Sequence, residues 1–139
     1  MSRKLSEKEI QAVLNSDVDA RVRYFVHKVA AMECFWLMCD EDDDLLIVYD
    51  AKERECIPVW PFKEYADVFF EDCVERKFLK EVQIQKFLDE RIDKLIKRNV
   101  AIFVFPDTKS HGAFVMADVF RNMMEDELAK YGDYGWKDF

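Results

Sequence analysis

Glycine and proline are scarce in this chain, and their scarcity excludes several classes of protein. Three glycines and three prolines among 139 residues exclude collagen-like and low-complexity chains, which depend on those residues. Gly112, Gly132 and Gly135 are too few for a Walker-type or GxGxxG phosphate-binding loop. No apolar run approaches the roughly 18 to 20 residues that cross a bilayer, and the amino terminus lacks the hydrophobic core of a secretion signal. We therefore expect a cytoplasmic protein that does not enter a membrane.

Cysteine and histidine are also too sparse for the usual metal and catalytic motifs. Four cysteines without CxxC spacing, among apolar neighbours, are typical of buried, reduced thiols: Cys34, Cys39, Cys56 and Cys73. His27 lies at the border of an apolar helical stripe, and His111 lies in a polar turn, where neighbouring serine and aspartate do not make a triad. We predict no catalytic residues, no metal site and no cofactor.

Acidic residues outnumber basic ones, 29 to 21, for a net charge of -8. This charge opposes binding to nucleic acid or anionic lipid, so neither is an expected partner. The densest acidic segment is a contiguous run without the alternation and central glycine of a calcium loop: Asp40, Glu41, Asp42, Asp43 and Asp44. We predict that this run is a solvated turn and that its acids contact a basic protein partner.

Basic residues are concentrated between positions 77 and 98, where acidic residues interleave with them. The pattern is typical of an ordinary solvated face with mixed charge rather than a groove for phosphate. The basic residues concerned are Lys77, Lys80, Lys86, Arg91, Lys94, Lys97 and Arg98.

Apolar residues are abundant, at 50% of the chain with 12 phenylalanines, which predicts one compact domain over 1–139. Periodicity and turn residues predict helices at 6–14, 18–32, 61–73, 84–98 and 118–131. Continuous apolar runs predict strands at 34–39, 45–49, 55–60, 78–82, 100–105 and 113–116. The first two strands should form a hairpin that is central or covered on both faces, and Gly132 should end the last helix. An aromatic tail at 132–139 is either flexible or docked.

This order of elements has more hairpins than crossovers, which favours an α+β fold. We expect a mixed or mainly antiparallel sheet of about five to six strands, packed by about four to five helices.

A proline-bracketed tryptophan marks the change from strand to helix near position 60. Pro58 and Pro61 hold the residues before them extended, and Pro61 can open a helix. Trp60 then either plugs one end of the core or forms a wall of a ligand pocket. The pocket hypothesis assigns ligand binding to five residues: Trp36, Trp60, Glu64, Tyr65 and His27. It needs an open concave site of roughly 300 Å³ or more, and full burial of Trp60 would count against it.

The order of features resembles a bacterial family known as domain of unknown function 2750. The similarity rests on the helices near 5–10 and 23–30, Trp36, the Pro-Val-Trp-Pro block at 58–61, Glu-Tyr-Ala at 64–66 and Val-Phe-Pro at 104–106. The acidic run at 40–44 and the cysteine content depart from the family pattern. The resemblance implies a bacterial, cytoplasmic, one-domain protein, and it transfers no catalytic residues.

Three functional hypotheses follow from the sequence. The first is a noncatalytic protein-binding module, for example an immunity-like antagonist whose acidic run meets a basic partner. The second is a small-molecule-binding protein or enzyme with a pocket near Trp60. The third is self-association through the aromatic tail, and we expect a monomer or a weak homodimer.

Overall fold

A computed structural model of the chain describes residues 6–39, 44–49, 52–69, 78–107 and 111–135. Predicted features at 40–43, Cys73 and the end of the tail at 136–139 lie outside these residues. The described elements, in chain order, are α1 (Glu7–Leu14), α2 (Val18–Met32), β1 (Cys34–Cys39), β2 (Val48–Tyr49), β3 (Glu55–Trp60), α3 (Lys63–Phe69), β4 (Phe78–Gln83), α4 (Ile84–Glu90), α5 (Ile92–Arg98), β5 (Ala101–Val104), β6 (Ala113–Met116) and α6 (Ala117–Gly135).

Short polar side chains begin the first two helices. Ser6 precedes α1 and accepts a hydrogen bond from the Glu9 N–H, and Asp17 precedes α2 and accepts one from the Ala20 N–H. These bonds satisfy backbone donors that have no partner inside a helix. Asn99 ends α5 in the left-handed conformation, with φ 61°, as its sequence position predicts.

The strands form one mixed sheet in the order β4-β1-β3-β5-β6, with β2 also paired to β3. Among the strands that the structure describes, β3 and β5 run parallel and the other pairs are antiparallel. Six helices accompany these six strands among the described residues. The prediction of an α+β fold with a single domain is confirmed.

One face of the sheet carries the main core. Strand register places Phe35, Leu37 and Val59 on this face. Phe35 meets Phe87 of α4 edge-on, with ring centroids 5.1 Å apart, and also contacts Phe25 of α2. Because α6 joins this aromatic cluster as well, we call this the helical face of the sheet. The alternate residues of each strand, such as Trp36 and Trp60, point to the opposite face of the sheet.

Pro58 interrupts the pairing between the central strand β3 and β1. Leu37 stands opposite Val59, which places Met38 opposite Pro58. The Val59 carbonyl accepts from the Phe105 N–H at 2.9 Å, so Val59 directs its backbone groups toward β5 and Pro58 directs its own toward β1. Proline has no N–H, and therefore β3 offers the Met38 carbonyl no donor at this point.

Leu46 supplies the missing donor. Its N–H donates to the Met38 carbonyl at 2.9 Å, and Leu45 forms an antiparallel bridge with Cys39. The pairing of described residues thus stops at Cys39 and resumes at Leu45. The predicted hairpin of 34–39 with 45–49 is correct only at this stem, because β2 pairs with β3 instead of β1. Tyr49 is 66% exposed, and β3 is the one described strand that pairs with β2. The prediction that this second run is central or covered on both faces is therefore wrong.

Three predicted helix boundaries differ from the structure. The segment at 84–98 is two helices, because Arg91 takes φ -118° between α4 and α5. The last helix passes through Gly132 and continues to Gly135; a glycine inside a helix costs only about 1 kcal/mol, and none of the described glycines has a positive φ. Helix α3 starts at Lys63 rather than at Pro61.

Candidate functional site

The aromatic residues predicted to wall a pocket lie mainly in the core. Trp60 is fully buried, and its indole N–H donates to the Pro106 carbonyl at 3.1 Å. Trp36 stands opposite Trp60 on the same face of the sheet and is half-buried. Full burial of Trp60 is the condition that counts against an open pocket at this corner. The geometry of the described residues favours its alternative role as a core residue.

The other three residues of that prediction do not assemble beside Trp60 as an open site. Tyr65 is 1% exposed, and Glu64 is half-buried on α3. The His27 side chain is 61% exposed and lies on α2, with its Nδ1 3.6 Å from a carboxylate oxygen of Glu127. Ligand binding by the five residues stays a prediction. The sequence did not predict that Trp60 and Tyr65 would both be buried at this corner.

Tyr65 belongs to a polar chain that joins three helices. The hydroxyls of Tyr24 and Tyr65 are 3.0 Å apart, and the Tyr24 hydroxyl donates to the Glu9 carboxylate at 2.8 Å. Burial, together with the hydrogen bonds to Tyr65 and Glu9, raises the pKa of Tyr24 far above its ordinary value. The Tyr24 hydroxyl therefore stays protonated at neutral pH, and its contacts tie α1 and α3 to α2.

Arg21 holds the turn between β5 and β6 against α2. This buried side chain donates to the backbone carbonyls of Ser16 at 2.9 Å and His111 at 2.7 Å, and more weakly to that of Phe105 at 3.4 Å. Asp107 accepts from the His111 N–H at 2.9 Å and lies 3.9 Å from the Arg21 guanidinium. His111 is thereby held mainly through its backbone, and its Nδ1 lies 3.8 Å from the Asp107 carboxylate.

The acidic run is described only at its margins. Asp44 is exposed, and the flanking residues Cys39 and Leu45 are bridged. The predicted contacts of Asp40, Glu41, Asp42 and Asp43 fall outside the described residues, so partner binding by the run stays a prediction.

Directly beside this bridge lies a cleft of about 390 Å³. Its lining comes from β4, α4, the residue that follows α4 and the two bridged residues: Cys39, Leu45, Lys80, Glu81, Val82, Gln83, Lys86, Phe87, Glu90 and Arg91. Lys80 pairs with Leu37 and Val82 pairs with Phe35 across β4 and β1. Both Lys80 and Val82 therefore lie on the helical face of the sheet. The floor is therefore the helical face at the margin of β1 and β4, and α4 forms a wall.

The charged rim of the cleft is mainly basic. Lys80, Lys86 and Arg91 contribute positive charge, and Glu90 contributes one negative charge. Glu81 also lines the cleft, but its carboxylate accepts a hydrogen bond from the Cys34 thiol at 3.4 Å, and register places both residues on the opposite face. Burial is the largest cause that raises the pKa of the Cys34 thiol to about 11, and this hydrogen bond is the second.

Sequence reasoning missed this cleft. It treated Lys80, Lys86 and Arg91 as members of a mixed solvated face, and their helical spacing alone supports that interpretation. The signal that was available is the alternation at 80–83, where lysine and valine share one face of a strand and Glu81 and Gln83 share the other. Which face borders a cleft depends on the pairing of β4 with β1, and local sequence does not specify that pairing.

None of the helices in the described part of the chain is long and apolar enough to cross a membrane. No curated protein and no solved structure shows significant similarity to the chain. The family described as "protein of unknown function (DUF2750)" matches residues 22–124, a span that begins within α2 and ends within α6 and so includes the whole sheet and the cleft. The chain therefore belongs to the DUF2750 family, as the resemblance at 58–61 and 64–66 predicts.

Proposed function

We propose that this protein is a noncatalytic protein-binding module whose contact surface combines the acidic run with the adjacent cleft. The observation that supports the proposal is the double role of Cys39 and Leu45. These residues bound the acidic run through their bridge, and both line the cleft. Exposed Asp44, next to Leu45 in the chain, and a recess with an apolar floor are therefore neighbours on one surface.

The two parts of this surface contribute differently to binding. Exposed acids attract a basic partner over several ångströms and raise its association rate, an effect that salt screens. A recess lined by Leu45, Val82 and Phe87 takes an apolar anchor side chain, and burial of such anchors gives most of the affinity at protein interfaces. The partner expected here has basic residues next to an exposed apolar side chain.

Selection from a phage-displayed random peptide library tests the proposal. Binders are selected on the wild-type protein at low salt and then compared on two variants. Leu45→Arg places a charge on the cleft floor, and the triple variant Asp42→Asn, Asp43→Asn, Asp44→Asn removes acids from the run. We expect enriched peptides that combine basic and apolar residues and that lose binding to both variants.

A charge-matched control separates a local contact from a general effect of net charge. The variant Asp67→Asn, Glu125→Gln, Asp126→Asn removes three exposed acids on α3 and α6 and should leave the selected peptides bound. Two results would overturn the proposal: no enrichment over a blank surface, or enriched peptides that bind the wild type and the Leu45→Arg variant equally.

A further inference from the structure

We propose that the cleft binds the carboxyl terminus of a polypeptide that ends in an apolar residue. This inference rests on the proposed protein-binding function and adds the chemistry of the partner's end. Three observations support it: the apolar floor of the cleft, the excess of cations on its rim, and an outer edge of β4 that has no partner among the described residues.

The apolar floor suits a single large side chain. Cys39 and Phe87 are almost completely buried beneath the cleft, and half-buried Leu45 and Val82 expose part of their surface to it. A volume of about 390 Å³ lies near the lower end of the range for ligand pockets. One apolar residue with its terminal carboxylate fits such a recess better than a long segment would.

The rim has a local charge opposite to that of the whole protein. The chain carries -8, yet the described lining of the cleft has three cations, Lys80, Lys86 and Arg91, against two acids, Glu81 and Glu90. The Glu81 carboxylate accepts a hydrogen bond from the Cys34 thiol. Lys86 and Arg91 form no ion pair with any residue that the structure describes. Cations that flank an apolar floor complement a carboxylate attached to an apolar group. Exposed Asp44, next to Leu45 in the chain, favours a basic residue further along the same partner.

The open edge of β4 favours a polypeptide over a free small acid. Antiparallel partners alternate between hydrogen-bonded and non-bonded pairs. Because Met38 directs its carbonyl toward the β3 side, Leu37 directs its backbone toward Lys80 of β4. Leu79 and Glu81 therefore direct their backbone N–H and C=O groups away from β1. No described strand lies on that outer side of β4. An extended peptide that pairs with these groups places alternate side chains over the helical face.

Fluorescence anisotropy with two matched peptides tests the inference on the full chain. The probe is a short labelled peptide with two arginines before a C-terminal leucine, prepared as the free acid and as the amide. We expect the free acid to bind roughly tenfold more tightly than the amide, the size of one charge-assisted contact. Lys86→Gln with Arg91→Gln should abolish that difference, whereas Lys94→Gln with Lys97→Gln on α5 should preserve it. Circular dichroism confirms that each variant is folded.

The arms of this experiment separate the inference from the proposed function. Equal binding of acid and amide, both lost in Leu45→Arg, would refute carboxylate recognition and leave protein binding intact. N-acetylleucine that binds as tightly as the peptide acid would identify a small acid as the ligand and overturn the inference. Failure of both peptides to bind at millimolar concentration would also overturn it, while the library selection judges the proposed function separately.

Discussion

Replacement of Arg21 by methionine should destabilise the fold more than any surface substitution on the same helix. Arg21 is 3% exposed and connects the start of α2 to the turn after β5. Methionine preserves much of the apolar contact along the side chain, but it removes every donor. The carbonyls of Ser16 and His111 would then lose bonds of 2.9 and 2.7 Å.

The size of the effect follows from those two bonds. A partly buried acceptor that loses a charged donor costs about 1–3 kcal/mol, and the 3.4 Å contact to Phe105 adds little at that distance. Partial access of water to the two carbonyls reduces the cost, so we expect a loss of about 2–4 kcal/mol. At about 3 °C per kcal/mol for a domain of this size, the Tm should fall by about 6–12 °C.

Thermal and urea unfolding, followed by circular dichroism, measure this loss. The control is Arg23→Met, which changes the same residue type at an exposed position on α2 and should shift the free energy of unfolding by less than about 0.5 kcal/mol. If both variants unfold at the same temperature, Arg21 does not hold the turn in the way its hydrogen bonds indicate.

Three further outcomes are expected. Trp60→Phe should lower the free energy of unfolding by about 2–4 kcal/mol, because it leaves a cavity and the Pro106 carbonyl without its donor; a neutral result in urea unfolding would show that the corner tolerates a smaller ring. Gly112→Ala should cost about 1–3 kcal/mol in the same assay, since an added Cβ would lie 2.8 Å from the Val104 carbonyl oxygen and 3.0 Å from the Pro106 Cα; an unchanged midpoint would contradict this. Burial is the main cause that raises the pKa of the Cys34 thiol from 9.0 to about 11, so its contribution to stability is complete below pH 9 and is lost as the pH rises toward 11. Alkylation of Cys34, mapped by mass spectrometry, should reach half its maximal rate near pH 11. A midpoint near pH 9 would refute the shift in pKa.

Local sequence was sufficient where one short segment determines its own structure. Ser6 and Asn99 mark helix ends because their side-chain and backbone preferences act within a few residues. The strand at 55–60 was predicted with its observed ends. In each case the interaction that decides the structure lies inside the segment.

The rest depends on contacts between distant segments. Pro58 indicates an interrupted ladder, but the neighbour that loses the hydrogen bond is known only when β1 and β5 are placed on either side of β3. Lys80 and Lys86 belong to one rim only because β4 pairs with β1 and α4 folds back onto the helical face. A basic residue on a periodic helix looks the same in sequence whether it borders a cleft or open solvent.

The bridge between Cys39 and Leu45 also makes the register of β1 and β2 independent of the length of the segment that connects them. On one side β1 is fixed by β4, and on the other β2 is fixed by β3, while the Leu46 N–H closes the connection at Met38. Each doubling of such a connection costs only about 0.6 kcal/mol in chain entropy. A change in the length or charge of the segment between 39 and 45 should therefore leave the strand register unchanged, and a reporter peptide can be inserted at this position.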